Sequence, residues 1–305
     1  MLRINKGLLI VSAALLLAGC SNNAPQKKEK LVVLTNPTKT EYSCGNNFDK
    51  SGLTLEYTDT EGNKTTITDF TLSNDKNLKY TQSTVTAKYK DLSVEVDITM
   101  RDVVEGQLTC IGDSLTQGHY WPSESYPNFI GNNSDKLNLN VVNCGKDGAS
   151  FKNFGQYNPK YQETTQYNTS LTGNPIVLTI LLGTNDATNW DEEKDLYVQD
   201  YTNLVETYRT TFGEDLNIVM ITSPRCISPN QFGIPTDIIC NEVVPLQKRL
   251  AEDLNCYLID LNAEFENYSD SELFRPNDDV HLTKQAATIT AKLIEDKILS
   301  IYEIE

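Results

Sequence analysis

The chain has 305 residues, of which 39% are hydrophobic and 22% are charged, a composition typical of a globular protein long enough for two domains. Its 42 acidic residues outnumber 26 basic ones and give a formal net charge of −16. A chain of this charge repels nucleic acid and anionic lipid surfaces, so we expect no nucleic-acid partner.

The first 20 residues have the pattern of a secretory signal. Arg3 and Lys6 form a positive segment, the stretch 8–17 is apolar, and small residues lead to Cys20. The apolar stretch is too short to span a membrane as a helix. Leu-Ala-Gly-Cys at 17–20 resembles the lipobox of bacterial lipoproteins, in which the cysteine is lipidated and becomes the mature N-terminus; the alternative is a plain cleaved signal. We expect lipidation at Cys20, a flexible linker over 21–30, and an extracytoplasmic protein held at the bacterial cell surface by its lipid.

Residues 31–102 have the period-two pattern of antiparallel strands. Apolar and polar residues alternate in 53–57, 85–89 and 92–98, with turn residues between them. About six strands with one packed face suit a small sandwich. The layout resembles the Ig-like domains of bacterial surface proteins. We expect a spacer here or a module that contacts cell wall or glycan.

From residue 105 onward, apolar runs alternate with helical patterns. Continuous apolar runs predict strands at 107–111, 139–143, 176–182, 217–222 and 256–260. Strands of this kind are covered on both faces, as in a parallel sheet. The patterns over 195–212 and after Thr283 predict helices, with the tyrosines of 195–212 in the core. The second domain is therefore expected to be a three-layer α/β/α structure with its site at the carboxyl ends of the strands.

Four short motifs stand in order along this second part. Gly112-Asp113-Ser114, a glycine-rich stretch to Gly148, and Gly-Thr-Asn ending at Asn185 each follow a predicted strand, and Asp278-Asp279-Val280-His281 precedes the last helix. Together they resemble the four blocks of the SGNH (GDSL-type) hydrolases over residues 105–305. The resemblance implies a flavodoxin-like parallel-sheet fold and an esterase in which Ser114 is the nucleophile.

A serine nucleophile requires a base, and the chain has two histidines. His119 is five residues from Ser114 on the same turn, a poor position for reaching back, and is expected to be a rim or structural residue. His281 carries Asp278 three residues earlier, a spacing at which the carboxylate can accept from the ring Nδ1–H. Asp279 is the rival for that role, and the resemblance favours Asp278.

The resemblance also assigns the oxyanion hole. Its donors are the backbone N–H groups of Ser114 and Gly148 and the side-chain amide of Asn185. The family often has glycine where this chain has Asp279, so the loop that carries His281 is expected to differ locally.

No cofactor or metal ion is expected. Two histidines and the lack of a Cys-x-x-Cys pair leave no zinc-like cluster. Cys226 and Cys240 stand at the two ends of one loop and could form a disulfide.

Aromatic and amide side chains surround the motifs. Trp121 lies seven residues after Ser114 and Trp190 five after Asn185, so both are candidates for binding a sugar ring. These residues favour an esterase that removes O-acetyl groups from carbohydrate, with an acylated glycan or small ester as substrate. The alternatives are a lipase or phospholipase-like esterase, and a surface binding protein whose hydrolase domain is silent.

Overall fold

The computed structural model describes residues 28–132 and 134–305; the predicted signal and Cys20 lie outside them. The first seven strands are β1 (Lys30–Thr35), β2 (Glu41–Cys44), β3 (Thr54–Thr58), β4 (Lys64–Ile67), β5 (Thr71–Ser73), β6 (Thr84–Tyr89) and β7 (Leu92–Asp97). The next five are β8 (Thr99–Gly112), β9 (Leu137–Gly145), β10 (Pro175–Leu181), β11 (Asn217–Ile221) and β12 (Tyr257–Ile259). The helices are α1 (Ser114–Gln117), α2 (Thr165–Ser170), α3 (Trp190–Phe212), α4 (Thr236–Ile238), α5 (Val244–Asp253), α6 (Leu261–Phe265), α7 (Asp270–Leu273) and α8 (Lys284–Ile301).

The N-terminal part is a β domain, as the alternating pattern predicts. Two antiparallel three-stranded sheets, β1-β3-β4 and β5-β6-β7, share one apolar core. Leu55 and Val85, one from each sheet, are fully buried in that core. The closer resemblance to Ig-like domains stays a prediction.

One long strand joins this domain to the second. The first residues of β8 pair with β2, and residues from Val104 onward pair with β9. The boundary expected between residues 102 and 105 therefore falls inside a continuous strand. The start of β8 runs directly into the large sheet, and β2 joins the same sheet by backbone hydrogen bonds to β8.

The second part contains the predicted parallel sheet. Its strands from β8 onward lie in the order β12-β11-β10-β8-β9, β2 adds a sixth strand at the start of β8, and every neighbouring pair is parallel. Numbered along the chain from β8, this is the 2-1-3-4-5 order of flavodoxin-like folds, with the order reversing between β8 and β10. The flavodoxin-like, three-layer α/β/α architecture is confirmed.

Both faces of this sheet are covered. All seven residues of β10 are buried, and its aliphatic side chains are divided between two cores on opposite faces. Val177 packs on one side with the apolar stripe of α8, whereas Leu178 packs on the other side with α3 and α5. The tyrosines predicted to be core residues of α3, including Tyr201 and Tyr208, are fully buried.

A side-chain cap sets the start of the last helix. The Thr283 hydroxyl accepts from the Ala286 N–H at 3.1 Å and starts α8, as its sequence predicts. Helix α3 begins at Trp190, five residues before the predicted start at 195.

The cysteines of the described residues are all free, and Cys226 and Cys240 are not bonded to each other. Burial raises the pKa of the Cys226 thiol to about 11 and that of Cys110 to about 12, so both are thiols at neutral pH. Among the described helices, none is long and apolar enough to cross a membrane.

Candidate active site

Ser114 lies on a tight turn at the carboxyl end of β8. It is the first residue of α1, and the Asp113 carboxyl group caps that helix by accepting from the Leu115 N–H at 2.9 Å. Gly112 has no room for a side chain, because a Cβ there would lie 2.1 Å from Thr116 Oγ1 and 2.6 Å from the Leu181 carbonyl oxygen. Gly112 therefore lets β8 and α1 pack closely at this turn.

Gly148 lies in the loop after β9. It has a φ of +70°, and a Cβ at this position would lie 1.7 Å from the carbonyl oxygen of Tyr157. A side chain would push away the loop segment that carries Tyr157. Glycine is thus required both by the left-handed backbone and by the close approach.

Asn185 follows β10, and its amide has a fixed orientation. Nδ2 donates to the carbonyl oxygen of Ala149 at 3.1 Å, which places the amide nitrogen beside the Gly148 loop. An amide has two N–H groups, so the second can donate to a bound group. The next residue holds the same loop, because Asp186 Oδ1 accepts from the Phe151 N–H at 2.8 Å.

His281 and Asp278 form a compact pair between α7 and α8. Asp278 Oδ1 lies 2.8 Å from His281 Nδ1 and accepts from the His281 backbone N–H at 2.6 Å. Burial acts to raise the pKa of the Asp278 carboxyl, but hydrogen bonds from the His281 ring and backbone outweigh it and hold the pKa below its usual value. Asp278 is therefore a carboxylate at neutral pH and fixes Nδ1 as the protonated ring nitrogen.

Asp279, the rival for this role, has no hydrogen bond to His281 among those of the described residues. It adopts a φ of +69°, the left-handed conformation that glycine adopts most readily. Its carbonyl accepts from the Ile227 N–H at 2.9 Å. This chain therefore has a different residue type at the position where the family often has glycine, but its backbone there keeps a conformation suited to glycine.

These residues meet at one cavity of about 420 Å³. Its wall contains Ser114, Gly148, Asn185 and His281, and Asp278 lies behind His281. The remaining lining residues are His119, Tyr120, Lys146, Asp147, Gln156, Tyr157, Asn158, Thr188, Phe232, Ile234 and Val280. A substrate in this cavity would meet a hydroxyl, an imidazole and an amide on one side and aromatic rings on the other.

The prediction that Trp190 binds a sugar ring is wrong. Its side chain is only 4% exposed, packs against Tyr197 and donates from Nε1 to Glu242 at 2.5 Å. Trp190 is in phase with the buried tyrosines of α3, seven residues before Tyr197, and the helix therefore turns it into the core.

Trp121 is also not a wall of this cavity. The guanidinium carbon of Arg275 lies 3.9 Å from the centroid of its ring, so one aromatic face is already occupied. Arg275 in turn pairs with Glu124 at 2.6 Å and donates its backbone N–H to the His281 carbonyl. Trp121 thus lies outside this cavity but lines a small neighbouring cleft together with Ser114 and His281, where it supports the loop of His281.

The rim of the cavity contains the aromatic groups that the two tryptophans were expected to supply. Tyr120 is 77% exposed, Tyr157 is 80% exposed and Phe232 is 37% exposed. Tyr120 and Tyr157 lie in segments whose aromatic and amide content is visible in the sequence. Phe232 lies in the irregular loop between β11 and α4, where no periodic pattern marks its position.

His119 lies nearer the centre of the cavity than a residue of its rim would. Its ring stacks on that of His281 with centroids 4.1 Å apart and planes 7° apart, and its Nδ1 lies 3.1 Å from Asp147 Oδ2. Asp113 is fully buried close by, and burial raises the pKa of its carboxyl to about 7. Within the described part of the chain, no group of three or more histidine, cysteine or acidic side chains could hold a metal ion.

Comparison with known proteins identifies the class. The model of the GDSL-like lipase/acylhydrolase family matches residues 110–289, more than half of the chain. The chain therefore belongs to the GDSL-like lipase/acylhydrolase family. No curated protein matches it.

Several solved structures resemble this chain at low sequence identity. A carbohydrate acetylesterase family member from Sinorhizobium meliloti is 17% identical, with 65% of this chain and 99% of that chain covered and a TM-score of 0.51. A lipase/acylhydrolase from Enterococcus faecalis is 20% identical, with 64% and 96% covered and a TM-score of 0.48. A lipolytic protein of the G-D-S-L family from Veillonella parvula is 19% identical, with 65% and 98% covered and a TM-score of 0.46.

Proposed function

We propose that this hydrolase is a serine esterase that removes acetyl groups from carbohydrate. The observation that carries the proposal is the convergence of Ser114, Gly148, Asn185 and the His281–Asp278 pair at one cavity with an aromatic rim. These five residues account for ester hydrolysis, and the aromatic rim accounts for binding of the sugar.

In the first step Ser114 Oγ attacks the ester carbonyl carbon. His281 Nε2 takes the hydroxyl proton, while Asp278 keeps Nδ1 protonated and stabilises the imidazolium that forms. His281 then gives the proton to the leaving sugar oxygen as the ester C–O bond breaks, and the acetyl group remains on Ser114. A water molecule, deprotonated by His281, releases acetate and restores the serine.

The negative charge of each tetrahedral intermediate lies on the former carbonyl oxygen. The donors for it are the backbone N–H groups of Ser114 and Gly148 and the free N–H of the Asn185 amide. Ala149 accepts from the other amide N–H, so Asn185 needs no reorganisation when charge develops. Donors fixed beforehand stabilise the transition state more than donors that must turn toward it.

Three properties of the cavity favour an acetylated sugar over a long-chain ester. The exposed rings of Tyr120 and Tyr157 offer faces on which a pyranose can stack. Gln156 and Asn158 add amide groups beside them. The aliphatic lining consists of Ile234 and Val280, which are only 4% and 3% exposed, so little surface can cover an acyl tail. The name of the Sinorhizobium meliloti relative, a carbohydrate acetylesterase family member, agrees with this choice.

The test compares aryl esters of acetate, butyrate and octanoate with an acetylated xylo-oligosaccharide. We expect kcat/KM to fall with acyl length, because each buried methylene would contribute about 0.8 kcal/mol only if the cavity could cover it. A Ser114→Ala variant supplies the background rate. A rise in kcat/KM toward octanoate would replace this function by the lipase alternative, and inactivity on every ester would favour a binding protein.

We also propose that the protein is anchored at the outer face of the membrane through lipidated Cys20, as the sequence at 17–20 suggests. The β domain would then act as a spacer or contact cell wall or glycan. A Cys20→Ala variant should leave the membrane fraction or remain unprocessed. A wild-type protein that is soluble, with unmodified Cys20, would refute the anchor.

A further inference from the structure

His119 has no role in the hydrolytic mechanism, although its ring packs directly against that of His281. Its ring is parallel to that of His281, and the ring of Phe232 is perpendicular to both, with centroids 5.1 Å from His281 and 6.2 Å from His119. The imidazole of the base is thus packed between the Asp278 carboxylate at its Nδ1 edge and the face of His119.

His119 reaches this position through a strained backbone conformation. It follows Gly118, whose φ is +94°, and has itself a φ of +42°, in the left-handed region that residues with a Cβ seldom adopt. Two consecutive left-handed residues turn the chain back directly after α1. The ring of residue 119 therefore lies over His281 and does not continue away from the helix.

Asp147 anchors the ring. Asp147 Oδ2 is 3.1 Å from His119 Nδ1, and the Asp147 backbone N–H donates to Gln117 Oε1 at 2.6 Å. Gln117 is the last residue of α1, the helix that begins with Ser114. The nucleophile helix, the Gly148 loop and the stacked ring are therefore held together as one unit.

The stacked ring of His119 limits the tilt of the His281 imidazole, which the Asp278 carboxylate alone does not. The χ2 torsion of histidine has a broad energy minimum, so a hydrogen bond at Nδ1 leaves the ring free to tilt about its Cβ–Cγ bond. Both oxygens of Asp278 lie within 2.9 Å of Nδ1, an arrangement that tolerates such tilting. A flat neighbour 4.1 Å away limits the tilt and with it the position of Nε2.

We propose that His119 is a positioning residue for His281: its ring, anchored by Asp147, fixes the plane in which the imidazole presents Nε2 to Ser114. The inference rests on the proposed function, because it requires His281 to be the base. It assigns a role in kcat, since the ring of His119 acts on the geometry of proton transfer, although His119 also forms part of the cavity wall.

Two substitutions separate the stack from the hydrogen bond. His119→Phe keeps a flat ring and loses the bond to Asp147, whereas His119→Leu loses both. Asp147 is left unpaired in each variant, so their difference measures the planar contact alone. Thermal unfolding of both variants checks that they are equally folded.

The readouts are kcat and KM for an aryl acetate and the rate at which a fluorophosphonate labels Ser114. We expect His119→Leu to lower kcat and the labelling rate about tenfold with KM nearly constant, and His119→Phe to recover most of that loss, since small displacements of a reacting group have effects of this size. Equal losses in the two variants, or no loss in either, would overturn the proposal.

The labelling rate separates this inference from the choice of substrate. A wild-type protein that is labelled at Ser114 but hydrolyses no acetate ester would refute the proposed substrate, while the Phe and Leu labelling rates would still decide the role of His119. A wild-type protein that is neither labelled nor active would overturn both the base assignment and the role of His119.

Discussion

Asp278 binds His281 twice, through the backbone N–H at 2.6 Å and through ring Nδ1 at 2.8 Å. One carboxylate therefore sets both the turn that carries the histidine and the tautomer of its ring. We expect Asp278→Asn to lower kcat by about 10⁴, the loss seen when a triad carboxylate is replaced by an amide. Asp279→Asn is the matched control, because asparagine tolerates the left-handed φ of +69° found there. Similar losses in the two variants would contradict the assigned pair.

Gly148 and Gly155 allow a controlled test of the loop after β9. Both have positive φ, +70° and +109°, but a Cβ meets the Tyr157 carbonyl oxygen at 1.7 Å in the first and nothing within 4 Å in the second. We expect Gly148→Ala to reduce kcat by roughly 10²–10³, the usual loss of one oxyanion donor. Gly155→Ala should cost only the strain of its backbone. Equal kcat values for the two variants would remove Gly148 from the oxyanion hole.

The raised pKa of the buried Asp113 carboxyl predicts that the stability of the protein depends on pH. Burial raises the pKa of its carboxyl from 3.8 to about 7, so between these values the folded protein keeps a proton that the unfolded chain has released. Its contribution to stability is therefore complete below pH 3.8 and is lost as pH rises to about 7. Asp113→Asn keeps the acceptor for the Leu115 N–H and has no charge to bury.

Thermal unfolding of the two proteins across pH 4–8 measures this effect. We expect the Tm of Asp113→Asn to exceed that of the wild type by a gap that widens with pH and reaches about 5 °C or more near neutrality. A gap that is independent of pH would show that the carboxyl is ionised in the folded protein throughout.

Tyr157 tests the aromatic rim. It is 80% exposed at the cavity, whereas Tyr80 is 42% exposed in the β domain and serves as control. We expect Tyr157→Ser to raise KM for an acetylated oligosaccharide about three- to tenfold, the value of one aromatic contact, and to change KM for an aryl acetate less. Tyr80→Ser should change neither. An equal effect of Tyr157→Ser on both substrates would exclude sugar stacking.

The sequence predicts which residues meet at the carboxyl end of the sheet, because the constraints there are local. Each of Ser114, Gly148 and Asn185 follows a run that predicts a strand, and the ends of parallel strands meet at one edge, although β9 before Gly148 is only partly buried. The pairing of Asp278 with His281 is also local, since the two residues are three positions apart in one turn.

The substrate side could not be predicted in the same way, because it depends on how distant loops pack. Trp190 is near Asn185 in sequence, but α3 starts at Trp190 and directs its side chain into the core. A helix predicted from residue 190, and not from 195, would have shown that Trp190 is in phase with the buried Tyr197 and Tyr201. Phe232 reaches the cavity from an irregular loop without periodicity. The stack of His119 on His281 depends on two left-handed residues that no sequence pattern requires.

The most direct test of the central claim is to trap the covalent intermediate. The wild-type protein is mixed with an aryl acetate, quenched in acid and analysed by intact mass and peptide mapping. We predict one acetyl group per chain, located at Ser114, and none in Ser114→Ala, together with a loss of about 10⁶ in kcat for that variant. Hydrolysis by Ser114→Ala at a rate near that of the wild type, or an acetyl group on another residue, would contradict the account.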